Sequence, residues 1–339
     1  MPSAADTFIS NIPRFSLGLL PTPLHPLELP EAREQGVELL VKRDDLTGLA
    51  FGGNKTRKLE FLLGAAVAQG CDAVVTGGAA QSNHCRQTAA AAARAGMECH
   101  LALGGQEVSP TGNLLLDDLL GARIHWCGAQ RKGEQIPSIM EDLRREGRHP
   151  FLIPYGGSNP TGALGFVAAG RELSEQLDHL DERRTTVVIA SSSGGTQAGL
   201  MVASQSAEKP FSVLGVGIDR EDFAAGSFVT RVEDLAAQVA SLSGLSPKSL
   251  HGATISDRFL GEGYGVVSEG ERKMLLKMAR STGLLLDPVY TVRAFTGLVQ
   301  LISEGRFSRG ERVIFWHTGG TPALFHYGER LLGQESEKE

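Results

Sequence analysis

The sequence lacks several features that mark other classes of protein. It contains no uninterrupted run of about 18 apolar residues, which a membrane-spanning helix would need. It has no basic excess either, since 33 lysines and arginines stand against 39 aspartates and glutamates and the net charge is −6. A protein that coats nucleic acid needs a basic face to neutralise phosphate groups. We therefore expect neither a membrane protein nor a nucleic-acid-binding protein.

Cysteine is also scarce, with four residues among 339. Cys71, Cys85, Cys99 and Cys127 form no CxxC pair and no zinc-like spacing. The nine histidines never pair with carboxylates at the spacing of a metal site, so we expect no metal. The first thirty residues are broken by prolines and lack the apolar core of a signal peptide, which favours a cytoplasmic location.

Glycine, by contrast, is abundant, with 42 residues among 339. Many of the glycines stand in pairs, after a short apolar run and before a helical pattern. Such runs predict strands that are buried on both faces, and they occur at 73–75, 101–103, 151–153, 187–190 and 313–316. The repeated order of strand, glycine turn and helix predicts an α/β fold with parallel strands and right-handed crossovers.

The chain also has the organisation expected of a divided α/β protein. Residues 71–153 contain several complete strand–helix units, which is enough for a compact sub-domain. Glycine-rich segments at its edges would act as hinges. A ligand would then bind in the cleft between two domains.

Lys55 is the first candidate for chemistry. It follows the turn segment 52–54 at the start of a predicted helix, where the positive end of the helix dipole disfavours a cation. One interpretation is an ordinary solvated lysine beside Arg57 and Lys58. The other is a nucleophilic amine that neighbouring positive charge keeps neutral, ready for imine formation.

A second candidate is the polar segment Gln81, Ser82, Asn83 and His84, which opens a helix after a strand predicted to end at Thr76. Ser82 or Asn83 would serve as the helix N-cap, which explains one polar residue. Four consecutive hydrogen-bonding side chains exceed that need, and with free backbone N–H groups they suit a bound carboxylate. His84 by itself is more typical of a surface residue near a cap.

The segment 191–199, SSSGGTQAG, follows the predicted strand 187–190 directly. Small residues let the backbone approach an anion and the start of the next helix supplies N–H donors, so this pattern predicts a phosphate-binding cup. The segment is neither a Walker A loop nor a GxGxxG dinucleotide motif. An ordinary serine–glycine turn is the alternative.

Two further segments place hydroxyl groups where α/β sheets bind ligands, at the carboxyl ends of strands. They are 286–291 (LDPVYT) and 317–322 (HTGGTP). Tyr264 lies in a glycine-rich loop that could close over a site, although a partly buried loop anchor is the simpler interpretation.

These segments together suggest pyridoxal 5'-phosphate. The sequence resembles the fold-type II, tryptophan synthase β-like pyridoxal phosphate enzymes, specifically the 1-aminocyclopropane-1-carboxylate deaminase / D-cysteine desulfhydrase family. The matching segments span residues 42 to 325 in family order: KRDDLTG, GGNKTRKLEF, TGGAAQSNH, SSSGGTQAGL, DPVYT and HTGGTPALF.

The resemblance implies an architecture of two open, twisted, mostly parallel α/β domains with the cofactor in the cleft. Residues 1–56 and 163–339 would form the large cofactor-binding domain, and residues 57–162 a smaller inserted domain. The resemblance also implies a small amino-acid substrate and a homodimer.

The resemblance further assigns roles to residues of this sequence. Lys55 would be the Schiff-base lysine, with Asn54 beside it in the cofactor site, and Asn83 would hydrogen-bond the phenolic oxygen of the cofactor. The phosphate would bind to Ser193, Gly194, Gly195 and Thr196. The substrate would contact Gln81, Ser82, Asn83, His84, Tyr264 and Tyr290. The catalytic residues would be Lys55, Ser82, Tyr264 and Tyr290.

Two threonines separate the activities within the family. The deaminases carry Glu where this sequence has Thr291 and Leu where it has Thr318, so both positions follow the desulfhydrase-like pattern. A carboxylate beside the pyridine nitrogen keeps the ring protonated and strengthens it as an electron sink. Opening a cyclopropane needs that sink, whereas a threonine hydroxyl at the nitrogen suffices to expel a β-thiolate. We therefore expect β-elimination, with D-cysteine giving hydrogen sulfide, pyruvate and ammonia.

Other functions stay open on the sequence alone. L-cysteate sulfo-lyase and 1-aminocyclopropane-1-carboxylate deaminase are the nearest alternatives, although Thr291 and Thr318 disfavour the deaminase. A non-catalytic phosphate-ligand binding protein would use the same cup, but an intact Lys55 argues against it. A nicotinamide oxidoreductase is disfavoured because the GxGxxG motif is missing.

Overall fold

Two separate β-sheets organise the structure, a computed structural model that describes residues 11–220, 223, 228–246, 250 and 252–333. Ten strands form the two sheets within these ranges. They are β1 (Leu24–Pro26), β2 (Glu38–Arg43), β3 (Ala73–Ala79), β4 (Glu98–Gly104), β5 (Arg123–Trp126), β6 (Pro150–Leu152), β7 (Thr185–Ser191), β8 (Ser212–Gly217), β9 (Thr254–Ser256) and β10 (Arg312–His317).

Helices connect the strands and cover both sheets. They are α1 (Pro30–Gln35), α2 (Lys55–Ala68), α3 (Asn83–Ala95), α4 (Gly112–Leu119), α5 (Ile136–Arg145), α6 (Pro160–Asp178), α7 (Gly195–Gln205), α8 (Phe228–Leu242), α9 (Glu269–Thr282), α10 (Thr291–Ser303), α11 (Ala323–His326) and α12 (Gly328–Leu332). Short 3₁₀ turns occur at Asp44–Leu46, Leu49–Phe51 and Tyr155–Gly157. Within the described ranges, no helix combines the length and the apolar character needed to cross a membrane.

The larger sheet has the strand order β1-β2-β10-β7-β8-β9. All of its pairs are parallel except β1 with β2, where a three-residue strand that ends at Pro26 pairs antiparallel at the edge. Proline suits such an edge because it has no N–H to donate to a further strand. The predicted parallel α/β class is therefore confirmed.

The smaller sheet has the order β5-β4-β3-β6 and is parallel throughout. Its strands lie between residues 73 and 152, within the range expected for the inserted domain. The domain boundaries themselves, at 56/57 and 162/163, stay a prediction.

One predicted boundary differs from the structure. Strand β3 does not end at Thr76 but continues through Gly77 and Gly78 to Ala79, paired with β4. A Cβ on Gly77 would lie 2.8 Å from Cα of Gly133, so glycine is required where another segment packs on the strand. The glycine pair that looks like a turn in the sequence is thus part of the sheet.

Candidate active site

A cavity lies where the segments that follow β3, β7 and β10 meet the start of α2. Ten of the residues predicted for the site line it, and these are Asn54, Lys55, Ser82, Asn83, His84, Ser193, Gly194, Thr196, Tyr290 and Thr318. The other lining residues come from the end of β7, the start of α7 and the 3₁₀ turn at Tyr155–Gly157, and they are Tyr155, Gly156, Ala190, Ser191, Ser192 and Gln197. Parallel strands deliver their carboxyl ends to one edge of a sheet, which explains why distant segments converge here.

Lys55 is the first residue of α2, and its Nζ donates a hydrogen bond to the carbonyl oxygen of Gly156 at 3.1 Å. Burial lowers the pKa of this amine to about 8. Burial, rather than the neighbouring positive charge expected from the sequence, is thus the main cause. Arg57 points away from the amine and pairs with Asp44 at 2.8 Å and Glu172 at 2.9 Å.

Helix α3 holds the loop that delivers Lys55. Ala50 and Phe51 adopt positive φ angles of 42° and 69°, which residues other than glycine rarely adopt. The buried Arg86 of α3 donates hydrogen bonds to the carbonyl oxygens of Ala50 and Gly52. Its neighbour Gln87 accepts a hydrogen bond from the backbone N–H at the second position of α2, at 2.8 Å. These contacts hold a strained loop in one conformation.

The residues of the polar segment at the start of α3 make different contacts. Ser82 is the N-cap and accepts a hydrogen bond from the backbone N–H of Cys85 at 3.2 Å, so the structure selects Ser82 over Asn83 for that role. His84 is buried, not on the surface, with Nε2 3.0 Å from Oγ1 of Thr76. Burial and nearby lysine amines hold the pKa of His84 well below 6.5, so the ring is neutral.

The predicted cup lies at the start of α7, and its binding of phosphate stays a prediction. Gly194 has a φ of +82°, and the backbone N–H of Gly195 points at Oγ of Ser158 at 3.3 Å. Ser158 Oγ also lies 2.7 Å from Oγ of Ser193. Lys58 Nζ donates to the same serine at 2.8 Å, which brings an amine donor to the rim of the cup.

Sequence reasoning missed Lys58 and Ser158. The signal for Lys58 was its spacing, because residues i and i+3 on a helix share one face and Lys58 therefore follows Lys55 into the site. Both amines donate to the carbonyl oxygen of Gly156 at 3.1 Å. Nothing local marks Ser158, which reaches the cup through the packing of the turn that precedes α6.

One phenol belongs to the cavity wall and a second phenol supports it. Tyr290 lines the cavity, and its hydroxyl lies 2.6 Å from the hydroxyl of Tyr264, which stands behind it. Burial raises the pKa of both phenols above 10.0, so both carry their protons at neutral pH. The guanidinium of Arg131 lies 4.6 Å from the ring centre of Tyr264 and pairs with Asp219 at 2.8 Å.

Besides Tyr264, three predicted residues lie outside the cavity wall. Thr291 directs its hydroxyl at Asp287, donating to Oδ1 at 2.8 Å and accepting from the backbone N–H at 2.6 Å. Gln81 donates to the carbonyl oxygen of Thr111 at 2.9 Å. Gly195 stands at the back of the cup, next to Ser158. Their roles stay predictions.

Thr318, unlike Thr291, belongs to the cavity wall. Its backbone carbonyl accepts a hydrogen bond from the N–H of Asn54 at 3.0 Å. Strand β10 and the lysine-bearing loop are thereby joined beside the candidate nucleophile.

The lining fits an aromatic aldehyde that carries a phosphate. Lys55 supplies an amine for an imine, and the cup with Lys58 supplies donors for an anion. Glycines keep the space open, because a Cβ on Gly195 would lie 2.7 Å from Oγ of Ser158 and a Cβ on Gly320 would lie 2.8 Å from Nδ2 of Asn83.

Comparison with known proteins agrees with this chemistry. A family model described as pyridoxal-phosphate dependent enzyme matches residues 15–319. A Pyrococcus abyssi protein with the provisional name 1-aminocyclopropane-1-carboxylate deaminase is 42% identical over 336 residues, which is 98% of this chain and 99% of that protein. D-cysteine desulfhydrase of Klebsiella pneumoniae is 38% identical over 331 residues, covering 95% of this chain and 98% of the relative.

Two solved structures have the same fold. The crystal structure of a homologue of 1-aminocyclopropane-1-carboxylate deaminase superposes with a TM-score of 0.89 at 36% identity, over 99% of this chain and 100% of that one. Threonine deaminase isoform 2 of Solanum lycopersicum shares the fold, with a TM-score of 0.68 at 17% identity over 97% of this chain and 86% of that one. The chain therefore belongs to the pyridoxal-phosphate dependent enzymes of fold type II, in the group of 1-aminocyclopropane-1-carboxylate deaminases and D-cysteine desulfhydrases.

Proposed function

We propose that this lyase is a D-cysteine desulfhydrase, which converts D-cysteine and water to hydrogen sulfide, pyruvate and ammonia. One observation carries the proposal: among the described residues that line the cavity, Thr318 contributes a hydroxyl and no residue contributes a carboxylate. A carboxylate at the ring nitrogen would keep the pyridine protonated. Without it the cavity suits expulsion of a thiolate better than the opening of a cyclopropane.

The chain's own groups support the steps of such an elimination. Pyridoxal phosphate, when bound, supplies an electron sink for the charge that develops at Cα. Lys55 would hold the cofactor and, as the free amine, remove the Cα proton of the substrate. Its lowered pKa of about 8 makes the neutral, basic form far more abundant at neutral pH than it is for an exposed lysine.

The remaining residues would bind the substrate and protonate its leaving group. The start of α3, with the hydroxyl of Ser82, offers donors to the substrate carboxylate. Tyr290 lines the cavity with a protonated phenol, so it is the donor best placed to protonate the departing sulfur. Tyr264, hydrogen-bonded behind it at 2.6 Å, would orient that phenol and pass a proton to it.

The test is product formation by the purified holoenzyme, offered D-cysteine, L-cysteine, L-cysteate and 1-aminocyclopropane-1-carboxylate in parallel. We expect equal amounts of pyruvate and sulfide from D-cysteine, and a Lys55→Ala variant that loses both the activity and the visible absorption of the cofactor. A matched control, Lys273→Ala, changes an exposed lysine on α9 and should leave both unchanged.

Three outcomes would overturn the proposal. Sulfite from L-cysteate without sulfide from D-cysteine would make the protein a sulfo-lyase. Ammonia and a ketoacid from the cyclopropane substrate would make it a deaminase. Failure to bind pyridoxal phosphate at all would favour a phosphate-ligand binding protein.

Two further expectations belong to this proposal. We infer a homodimer from the family resemblance, and the cytoplasmic location stays an expectation from the sequence. Sedimentation of the holoenzyme at two times the mass of the 36.0 kDa chain would support the dimer.

A further inference from the structure

Asn113 lies outside the cavity wall but contacts it through one residue. It is the second residue of α4, and its side chain is fully buried. Its Nδ2 donates to the backbone carbonyl oxygen of Gln81 at 3.0 Å and to Oδ1 of Asn83 at 2.9 Å. Asn83 is the first residue of α3 and lines the cavity.

These two hydrogen bonds fix the orientation of both amides. A backbone carbonyl can only accept, so the atom of Asn113 that faces Gln81 must be its nitrogen. The atom of Asn83 that faces the same nitrogen must then be an acceptor, namely its oxygen. The Nδ2 of Asn83 consequently points the other way, toward Gly320, where an added Cβ would lie 2.8 Å from it.

Other contacts hold Asn113 in place. Its backbone N–H donates to Oε1 of Gln81 at 2.9 Å, and Nε2 of Gln81 donates to the carbonyl oxygen of Thr111 at 2.9 Å. Gly112 permits this approach, since a Cβ there would lie 2.6 Å from Oε1 of Gln81. The Oδ1 of Asn113 is buried and has no hydrogen-bond donor among the described residues. A buried acceptor without a partner is unfavourable, so the contribution of this side chain is its nitrogen.

We propose that Asn113 is a positioning residue that locks the amide of Asn83 with its N–H directed at the phenolic oxygen of the cofactor. The inference rests on the cofactor site described under the proposed function, in particular on Asn83, and it is independent of which amino acid is the substrate. A donor at a phenolate stabilises the deprotonated form. Asn113 thereby lowers the pH at which the bound cofactor changes its visible absorption.

The experiment is a pH titration of that visible absorption in the holoenzyme without substrate. Asn113→Leu keeps the branched shape without polar atoms, and Asn113→Ala tests the same loss with a smaller side chain. We expect both variants to raise the midpoint by about 0.5–1 pH unit, the size of one hydrogen bond. Asn83→Ala, which removes the donor itself, should raise it at least as much.

A double variant separates positioning from a general structural effect. If Asn113 acts through Asn83, Asn113→Leu should add no shift in the Asn83→Ala background. Asp118→Asn, on the exposed face of α4, is the matched control and should titrate like the wild type. Cofactor content and thermal unfolding, measured for every variant, identify those that remain folded and loaded.

The outcomes separate the role of Asn113 from the assignment of Asn83 to the phenolic oxygen of the cofactor. A wild-type midpoint in both loaded Asn113 variants, together with a raised midpoint in Asn83→Ala, overturns the role of Asn113. A shift that persists in the Asn83→Ala background overturns it as well. A wild-type midpoint in Asn83→Ala overturns the assignment of Asn83 to the phenolic oxygen, and the inference with it.

Discussion

Lys55 and Lys58 share one backbone acceptor, the carbonyl oxygen of Gly156, and this proximity connects their chemistry. Two ammonium groups in a cavity wall repel each other, and burial disfavours both charges. Burial lowers the pKa of Lys58 well below 10.5, with Lys55 as the next cause. One amine can therefore act as nucleophile while the other remains at the anion cup.

A pH dependence follows for Lys55. Imine formation needs the neutral amine, so below the folded-state pKa of about 8 the protonated lysine cannot attack. The rate at which apoenzyme regains the visible absorption with pyridoxal phosphate should rise with pH, with a midpoint near pH 8 and a plateau above it. Stopped-flow absorbance measures this rate, with a free lysine derivative as control. A rate that keeps rising to the pKa of an exposed lysine, 10.5, would contradict the lowered value.

Thr318 offers a second test at the scale of one residue. Thr318→Leu removes the hydroxyl from the cavity wall and introduces the residue that the deaminases carry. We expect kcat/KM for D-cysteine to fall by about tenfold, the value of one hydrogen bond to a charged or polar partner. Thr318→Ser retains the hydroxyl and should stay close to the wild type. Equal sulfide release by Thr318→Leu and wild type would exclude a role for this hydroxyl.

At the scale of elements, the starts of two helices position groups of the site. Helix α7 begins at the cup, and helix α10 begins beside Tyr290. The buried carboxylate of Asp287 accepts hydrogen bonds from the backbone N–H groups of Val289, Tyr290 and Thr291 at 3.0, 3.1 and 2.6 Å. An acidic residue before a helix commonly caps it in this way, and here the cap also fixes the phenol.

The close packing of the cup leads us to expect that one added methyl group weakens cofactor binding. In Gly195→Ala the new Cβ would lie 2.7 Å from Oγ of Ser158 and 2.9 Å from Nζ of Lys58, so both cup residues would have to move. We expect affinity for pyridoxal phosphate to fall by at least about tenfold, because the phosphate loses aligned donors. Titration of the apoenzyme with the cofactor measures this loss.

Gly270→Ala is the matched control for that substitution. Gly270 also stands in the first turn of a helix, α9, but its added Cβ would meet a single atom, Oγ of Ser268 at 4.0 Å. Its affinity for the cofactor should equal that of the wild type. Equal affinities for all three proteins would show that the cup tolerates a side chain and does not hold the phosphate closely.

Contacts between the two sheets matter at the scale of the whole molecule. Arg131 belongs to the loop that packs on the end of β4, where a Cβ on Gly104 would lie 2.5 Å from Cβ of Arg131. Its guanidinium reaches Asp219, just after β8 of the larger sheet, and stacks on Tyr264. Asp219 is 2% exposed, so this ion pair joins the sheets beside the site, away from water.

Loss of that ion pair should weaken the contact between the two sheets beside the site. Arg131→Gln leaves Asp219 buried without its arginine partner and removes the cation from the ring of Tyr264. We expect KM for the substrate to rise by roughly three- to tenfold and hydrogen exchange to quicken around residues 260–266. Arg144→Gln, at an exposed position on α5, is the control. Unchanged KM and exchange in Arg131→Gln would exclude this coupling.

The sequence alone determined the α/β class and the motifs of the site. Continuous apolar runs such as 187–190 and 313–316 indicate strands buried on both faces, whatever surrounds them. Cups and caps are also local, because glycine, serine and a helix start act within a few residues of one another. The segments around Lys55, Ser193 and Tyr290 could therefore be found from their order and spacing.

The tertiary structure decided what depends on packing between distant segments. It turned His84 inward, brought Lys58 and Ser158 to the cup, and placed Thr318 in the cavity while Thr291 pairs with Asp287. Asn113 contacts Asn83, which lies 30 positions away in the sequence, and no local pattern indicates that contact. Such contacts arise when helices and strands pack together, so the direction of each side chain follows from the fold and not from its neighbours in sequence.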